Sequence, residues 1–217
     1  MGSANRSTVA RHAGKISAMP NLPSTLPRMG SWWSIREAFA GIGRGCQRAW
    51  QTGSNRMFHR WQLCDRKKGG RGVGKTKRGK GTKLMAMADG AGLPIAISIG
   101  SAAPHEVRLV DETLKARFTK EQPERLIGDR AYDSAPLDER LQKQGVQMIA
   151  PHKVNRKKAS TQDSRPLRRY RKRWKIERLF AWLQNFRRIQ VRHERILENY
   201  LGFVLLGCMI IFLRSCF

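Results

Sequence analysis

Acidic residues are scarce in this sequence. The 217 residues include 43 Lys and Arg but only 16 Asp and Glu, which gives a formal net charge of +27 at pH 7. Such an excess makes a polyanion, and nucleic acid first of all, the expected partner. Because 40% of the residues are hydrophobic, the chain has enough apolar side chains for a core, and wholesale disorder is excluded.

Cysteine and long apolar runs are also rare. The four cysteines (Cys46, Cys64, Cys208 and Cys216) form no Cys-x-x-Cys pair, so neither a zinc knuckle nor a disulfide framework is indicated. The first residues lack the apolar stretch of a signal peptide. The apolar run at 201–213 is shorter than the ~20 residues needed to span a bilayer, so it predicts a buried helix and no membrane partner.

The middle of the chain carries the clearest secondary-structure pattern. Two short runs rich in apolar residues predict strands, and Asp89-Gly90 between them predicts the turn of a hairpin. The predicted elements are strands at 82–89 and 94–102, a helix at 105–117, a strand at 125–129, a helix at 138–144, a strand at 146–150, a long helix at 167–189 and an apolar C-terminal helix. This order indicates a mixed α/β architecture. Residues 1–66 show no such pattern, so we expect a poorly ordered leader there and the folded domain at 67–217.

Two acids stand out against the basic background. Asp129 lies at the C-terminal end of a short predicted strand, and Glu177 lies in the long predicted helix beside its apolar face. Taken singly, Asp129 is typical of a turn or cap residue, and Glu177 of an i,i+4 ion pair with Arg173. Taken together in a basic chain, they predict two carboxylates that hold divalent metal beside a phosphodiester, where Mg²⁺ prefers oxygen ligands.

A glycine-rich segment allows a second interpretation, in which the chain binds a nucleotide through a phosphate-binding loop. Residues 69–76 match the phosphate-binding pattern GxxxxGK[ST], with Lys75 and Thr76 as its last two members. That loop requires a buried strand before it and a helix after it, whereas basic and glycine-rich residues flank this one. A basic loop that contacts DNA phosphates explains the same residues better.

Several segments resemble a known family. They are Lys-Lys-Gly-Gly (67–70), residues 74–85, Pro104-His105-Glu106, Leu-Ile-Gly-Asp-Arg-Ala-Tyr-Asp-Ser (126–134) and residues 170–188, which begin Tyr-Arg-Lys-Arg-Trp-Lys-Ile-Glu. These pieces resemble the C-terminal part of bacterial insertion-sequence DDE transposases of the insertion sequence five group. The resemblance implies an RNase-H-like mixed sheet with flanking helices and a cytoplasmic, nucleoid-associated bacterial protein.

The resemblance also implies roles for individual residues. Asp129 and Glu177 would be the second and third acids of the DDE triad and ligands of Mg²⁺ or Mn²⁺, and Tyr170, Arg173 and Glu177 would form the family's Tyr-Arg-Glu signature. Gln184 departs from that signature, which often has Lys there. The side chains that we expect to contact DNA are Tyr170, Lys172, Arg173, Lys175, Arg187, Arg188, Lys75, Lys77 and Arg78.

The first acid of the triad is missing. The family has it in an Asp-Gly-Ser/Thr strand before Lys-Lys-Gly-Gly, but an ungapped match places Arg60 there, and the nearest acid is Asp65. The sheet is therefore expected to be incomplete at its N-terminal strand. An alternative is that Asp65 ends a shortened first strand and serves as the first ligand.

The genetic code suggests how the acid was lost. Residues 60–66 can be encoded as (A/C)GA TGG CAG CTT TGC GAC CGC, and regrouping from the second base gives Asp-Gly-Ser-Phe-Ala-Thr-Ala, the expected motif. We hypothesise that residues 1–66 are translated from the wrong frame, with slippage at the adenine-rich codons of Lys67 and Lys68. The coding DNA tests this, since the shifted frame must spell Asp-Gly-Ser.

The predicted function is that of a DNA transposase. It cleaves DNA at the ends of an insertion sequence in a metal-dependent reaction and transfers the strand to target DNA, but this chain is expected to be inactive. Its partners would be the terminal inverted repeats and target DNA, with self-association into a homo-oligomer left open. The alternative is a non-catalytic basic protein that binds nucleic acid through counterion release.

Overall fold

A six-stranded mixed sheet lies at the centre of the computed structural model, which describes residues 41, 56–66, 70–77, 79–154 and 164–216. Its strands in chain order are β1 (Arg56–Asp65), β2 (Gly74–Thr76), β3 (Gly79–Ala88), β4 (Pro94–Ser101), β5 (Arg125–Ile127) and β6 (Gln147–Ile149). Strand β3 pairs antiparallel with β1, β2 and β4, whereas β1, β5 and β6 pair in parallel. The sheet therefore runs β4, β3, β1, β5, β6, with β2 beside one end of β3.

Helices cover both faces of this sheet. The described helices, numbered in chain order, are α1 (Glu106–Lys115), α2 (Ala135–Lys143), α3 (Ser164–Tyr170), α4 (Trp174–Gln184), α5 (Arg187–Gln190) and α6 (Leu197–Cys216), with short 3₁₀ turns at Arg130–Tyr132 and Arg171–Arg173. Buried residues of α4 and α6 pack against one face, and those of α1 and α2 against the other. The predicted mixed α/β class, a sheet with flanking helices, is thus confirmed.

The β3–β4 hairpin forms where the sequence predicted it. Oδ1 of Asp89 accepts hydrogen bonds from the backbone N–H groups of Ala91 and Leu93, both at 2.8 Å. Gly92 has a φ of 89°, a conformation that side chains disfavour and glycine adopts easily. These local bonds close the turn and bring β4 back beside β3.

The sheet begins earlier than the sequence indicated. We expected the domain to start at residue 67 and the N-terminal strand to be incomplete, but β1 is ten residues long and lies between β3 and β5. Met57 packs into the core on the α1–α2 face, and Phe58 and Cys64 pack on the α4–α6 face. Residues 56–66 therefore belong to the sheet rather than to a leader; residues 1–55, apart from Gly41, lie outside the described part.

The long helix predicted at 167–189 is divided. It comprises α3, a 3₁₀ turn, α4 and α5, and Phe186 between the last two has an extended backbone. Like charges stand four residues apart around the 3₁₀ turn, as in the pairs Arg168–Lys172 and Arg171–Lys175, and such pairs destabilise an α-helix. Helical periodicity predicts a core face of Ile176, Leu179, Phe180, Leu183 and Phe186; the first four are buried, and Phe186 is only partly buried.

The apolar C-terminal segment packs as a core helix. Helix α6 is long and apolar enough to cross a membrane by length and composition, and 44% of its most apolar window is buried within the protein. Tyr200, Val204, Leu205, Cys208 and Phe212 form its fully buried side. These residues lie against the sheet, as the sequence predicted.

Candidate active site

Strands β1 and β5 and helix α4 meet at one place. Phe58 of β1 pairs with Ile127 of β5, and both side chains enter the core on the α4 side. Because side chains alternate along a strand, Arg60 follows Phe58 on that same side, and Asp129 comes two residues after Ile127, just beyond the end of β5. Glu177 of α4 reaches this place as well, since its Oε1 accepts a hydrogen bond from Nη1 of Arg60.

Asp129 lies just beyond the carboxyl end of β5. Its backbone is extended, and its Oδ1 accepts a hydrogen bond of 2.9 Å from the backbone N–H of Ala131, so it caps the 3₁₀ turn at Arg130–Tyr132. The cap role expected of an isolated strand-end aspartate is therefore present. The same bond fixes the carboxylate at the end of a strand, where α/β proteins place active-site groups.

Glu177 is held by two guanidinium groups. Its Oε1 lies 2.7 Å from Nη2 of Arg173, one turn earlier, and also contacts Nη1 of Arg60 across the molecule. The i,i+4 ion pair that we considered from the sequence is thus formed. The Glu177 side chain is 40% exposed, so solvent reaches the pair.

Arg60 occupies the position where the family pattern has the first acid. Its side chain is 37% exposed, and its guanidinium faces Glu177 rather than leaving the site for bulk solvent. Within the described part of the chain, no group of three or more His, Cys, Asp and Glu side chains could hold a metal ion. A divalent cation needs several free oxygen ligands. Two carboxylates with a guanidinium between the strands and α4 do not fit that requirement.

Asp65 is the last residue of β1, five positions beyond Arg60. It is an exposed residue at the far end of β1, where it forms a bridge with Val191 and its carbonyl oxygen accepts from the N–H of Arg192. Five residues of extended strand separate it from Arg60, which corresponds to about 17 Å. The alternative in which Asp65 is the first ligand therefore conflicts with the length of β1.

Two buried polar side chains lie on the opposite face of β1 from Arg60. His59 is fully buried, and neither ring nitrogen has a hydrogen-bond partner among the described residues. Burial lowers the pKa of His59 to about 3. Its ring packs edge-on against Tyr132 at 4.8 Å, and burial, with a smaller contribution from Asp129, raises the pKa of that phenol well above its usual value. No sequence pattern marked this pair.

A buried ion pair borders the same strand. Nζ of Lys83 lies 3.0 Å from Oε1 of Glu106, donates to the carbonyl oxygen of Pro104 and sits 4.7 Å from the ring centroid of Trp61. Glu106 belongs to the Pro-His-Glu motif, and His105 caps α1 by accepting a hydrogen bond from the N–H of Val107. This motif thus has a structural role in joining α1 to β3.

A second carboxylate of the Gly-Asp-Arg-Ala-Tyr-Asp motif holds the start of the basic segment. Oδ1 of Asp133 lies 3.0 Å from Nδ1 of His152, and its Oδ2 accepts a 2.8 Å hydrogen bond from the backbone N–H of Lys153. The side chain of Asp133 is only 4% exposed. These contacts fix the residues after β6 close to the end of β5. The sequence offered no signal for them beyond the motif itself.

The expected DNA-contacting residues fall into two groups. Lys75, Lys77, Lys172 and Arg187 are exposed, and Arg78 lies outside the described residues.

The remaining expected DNA-contacting residues have partners within the protein; they are Tyr170, Arg173, Lys175 and Arg188. Arg173 binds Glu177 and lies over the ring of Tyr170, with the guanidinium 5.1 Å from the ring centroid. Nζ of Lys175 donates to the carbonyl oxygen of Gly90, and burial lowers the pKa of Lys175. Arg188 pairs with Glu194 at 3.1 Å.

The glycine-rich segment does not form a phosphate-binding loop. Its end, Gly74–Thr76, is strand β2, and the hydroxyl of Thr76 donates to the carbonyl oxygen of Gly79. No helix opens at Lys75, so the backbone lacks the helix N-terminus that this chemistry requires.

Comparisons with known proteins agree with this architecture. The pattern of the family described as transposase DDE domain matches residues 50–213. The chain is 28% identical over 179 residues to a protein described as a transposase for insertion sequence element IS402 of Burkholderia cepacia, covering 76% of this chain and 81% of that protein. It is 32% identical over 133 residues to one described for insertion sequence element IS6501 of Brucella ovis, covering 61% and 98%.

A solved structure shares the fold. The piggyBac transposase in a synaptic complex with hairpin DNA matches 85% of this chain with a TM-score of 0.51 and 13% sequence identity, and the chain spans 54% of that protein. At this identity the likeness concerns the fold alone, which it supports as RNase-H-like. Since the family pattern covers most of the sequence, including β1, β5 and α4, the chain belongs to the transposase DDE domain family, of the kind found in bacterial insertion sequences.

Proposed function

We propose that this chain derives from a DNA transposase of an insertion sequence and that its active site lies where β1, β5 and α4 meet. The observation that carries the proposal is the contact between Arg60 and Glu177. It joins the position of the expected first acid to the expected third acid, and Asp129 follows β5, the strand that pairs with β1. Residues 60, 129 and 177 are thus the three positions of the proposed site.

DNA is the proposed partner, as terminal repeats of the element and as target. The net charge of +27 favours binding to phosphates, and the exposed side chains of Lys75, Lys77, Lys172 and Arg187 could contact the backbone. In the parent reaction, one strand is hydrolysed at the end of the element, and the freed 3′-hydroxyl then attacks target DNA. DDE transposases use divalent metal ions, and we propose Mg²⁺ or Mn²⁺ for the parent enzyme.

This chain is proposed to bind DNA without cleaving it. Arg60 stands where an acid is needed, and it neutralises Glu177 together with Arg173. The frame hypothesis explains why a basic residue occupies this position.

Strand nicking tests the proposal. Three proteins are compared on terminal-repeat DNA with Mg²⁺ or Mn²⁺: the chain as given, a frame-restored chain with Asp-Gly-Ser-Phe-Ala-Thr-Ala at 60–66, and the frame-restored chain with Glu177→Gln. We expect no activity, activity and no activity, respectively. Nicking by the chain as given would contradict the role of residue 60, and nicking by the Glu177→Gln protein would contradict the site assignment.

DNA binding is tested through its salt dependence. Lys172→Ala removes an exposed cation, so the slope of log K against log[NaCl] should fall by about 0.9 if Lys172 contacts one phosphate. Lys175→Ala should change the slope less, because that ammonium is bonded to the carbonyl oxygen of Gly90. Fluorescence anisotropy with a labelled duplex measures both, and Lys115→Ala on α1 is the matched control. Equal slopes for all three variants and the parent chain would show that neither Lys172 nor Lys175 contacts a DNA phosphate.

The alternative is a basic nucleic-acid binder with no catalytic ancestry. It is favoured only by the pairing of Glu177 with two guanidinium groups, which gives the carboxylate a structural role. A frame-restored chain that binds DNA and never nicks it would support this alternative.

A further inference from the structure

We propose that the guanidinium of Arg60 takes the place of the divalent ion, as a counter-ion built into the chain that lets the site form without metal and prevents metal from binding. The inference rests on the proposed location of the active site but concerns residue 60 alone. It accounts for a site that keeps two acids of a metal centre and lacks the third.

The charges of the site balance without any ion. With Asp129 counted at the proposed site, it and Glu177 contribute two negative charges, and the two arginines bonded to Glu177, Arg60 and Arg173, contribute two positive ones. Adding a divalent cation to this group would leave it with an excess of two positive charges. Replacing Arg60 with an acid reverses this, because three carboxylates and one guanidinium then carry a net charge of −2.

Burial does not exclude metal from this place. The side chains of Arg60 and Glu177 are 37% and 40% exposed, so a hydrated ion can reach them from solvent. The obstacle is the loss of a ligand, since Oε1 of Glu177 is engaged by two donors, and the repulsion between the ion and Arg60. Replacing Arg60 should remove the repulsion and one of the two donors, which leaves Arg173 bonded to Oε1 of Glu177.

The two arginines differ in what they join. Arg173 lies one turn from Glu177 in sequence and also stacks on Tyr170, so its contacts are local. Arg60 reaches Glu177 from β1, 117 residues away in sequence. Of these two arginines, Arg60 is therefore the one that joins β1 to α4.

Mn²⁺ binding tests the inference without any catalytic readout. Free Mn²⁺ is followed by electron paramagnetic resonance during titration of the chain as given, Arg60→Asp, Arg60→Met and Arg140→Asp. Arg140 is the matched control, because it forms a 3.0 Å ion pair with Asp111 at similar exposure, and its replacement makes the same change in charge. Far-UV circular dichroism verifies that each variant is folded.

Arg60→Asp should bind Mn²⁺ at least tenfold more tightly than the chain as given and than Arg140→Asp. Arg60→Met, which removes the cation but adds no ligand, should bind severalfold more tightly than the chain as given. The melting temperature of Arg60→Asp should be lower than that of the parent without metal and rise by about 4 °C with saturating Mn²⁺. Adding Glu177→Gln to Arg60→Asp should abolish the tight binding.

Equal Mn²⁺ affinity for the chain as given and Arg60→Asp would overturn the inference. Should Arg60→Asp fail to fold, unchanged affinity in Arg60→Met would overturn it instead. The inference and the proposed function fail separately: an Arg60→Asp protein that binds Mn²⁺ while the frame-restored chain cannot nick DNA supports the inference and contradicts the proposed function.

Discussion

Strands β1 and β5 are parallel neighbours in the same sheet, yet their side chains suit their surroundings to different degrees. In β5, Leu126 and Ile127 are fully buried in opposite core layers, and Asp129 follows with its carboxylate bonded to a turn. In β1, fully buried His59 has no hydrogen-bond partner among the described residues, and Arg60 stands in a proposed acid site. The comparison shows that pairing and a few apolar residues suffice to place a strand.

The backbone pairing of β1 explains why the strand forms although some of its side chains suit their surroundings poorly. It bonds to β3 over eight residues, from Phe58 to Asp65, and the ladder depends on backbone groups that every residue but proline possesses. Met57, Phe58 and Cys64 supply the buried apolar contacts at its two ends. The middle of the strand can therefore carry side chains that are poorly suited to a core or to a metal site.

The largest expected effect concerns His59 in acid. Its pKa is about 3 in the folded protein and about 6.5 when exposed in the unfolded chain, so the unfolded state binds more protons between these values. The stability from the neutral imidazole is present above pH 6.5 and is lost as the pH falls to 3, by as much as about 5 kcal/mol. About 2 kcal/mol of this stability is lost between pH 7 and pH 5. His59→Ile should remove that loss, as urea unfolding at the two pH values would show.

His193→Gln is the matched control for this experiment, because it removes an exposed imidazole instead of a buried one. If His59→Ile retains the parent slope between pH 7 and pH 5, the imidazole is not buried as described. A loss of stability at pH 7 in His59→Ile would instead show that the ring packs well enough to outweigh its unpaired nitrogens.

The second expected effect compares truncations in the two strands. Ile127→Ala removes a fully buried side chain of β5 from the α4 layer and should lower the free energy of unfolding by about 2–5 kcal/mol. Gln62→Ala truncates a half-buried residue in the middle of β1 and should change it by about 0.5 kcal/mol or less. Urea unfolding measures both values, and equal losses would show that the middle of β1 is packed as closely as β5.

The sequence predicted the elements whose apolar residues follow a clear period. The β3–β4 hairpin, α1, β5, α2, β6 and the core face of α4 all lie close to where periodicity placed them. It did not predict β1, because only three of its buried residues are apolar and the motif that would have marked the strand is absent. The division of the long helix escaped prediction as well, since like-charge repulsion leaves no trace in a hydrophobic pattern.

The proposed site was only partly predictable. The family motifs marked Asp129 and Glu177, but nothing in the sequence indicated that Arg60 would bond to Glu177, because the two residues come together only through the β1–β5 register and the packing of α4. The anchoring of the basic segment by Asp133 likewise depends on contacts across the fold. Spacing along the chain cannot predict such long-range contacts.

The smallest expected effect is the coupling free energy of the ion pair between Arg60 of β1 and Glu177 of α4. A double-mutant cycle with Arg60→Met and Glu177→Ala should give a coupling of about 0.2–1 kcal/mol in 50 mM NaCl, because both side chains are partly exposed. In 500 mM NaCl the coupling should fall towards zero, since salt screens exposed pairs. The Arg140→Met and Asp111→Ala cycle provides a surface pair of known geometry for comparison. A coupling between Arg60 and Glu177 that stays above 1 kcal/mol at high salt would show that β1 is fixed by this contact as strongly as by its backbone pairing.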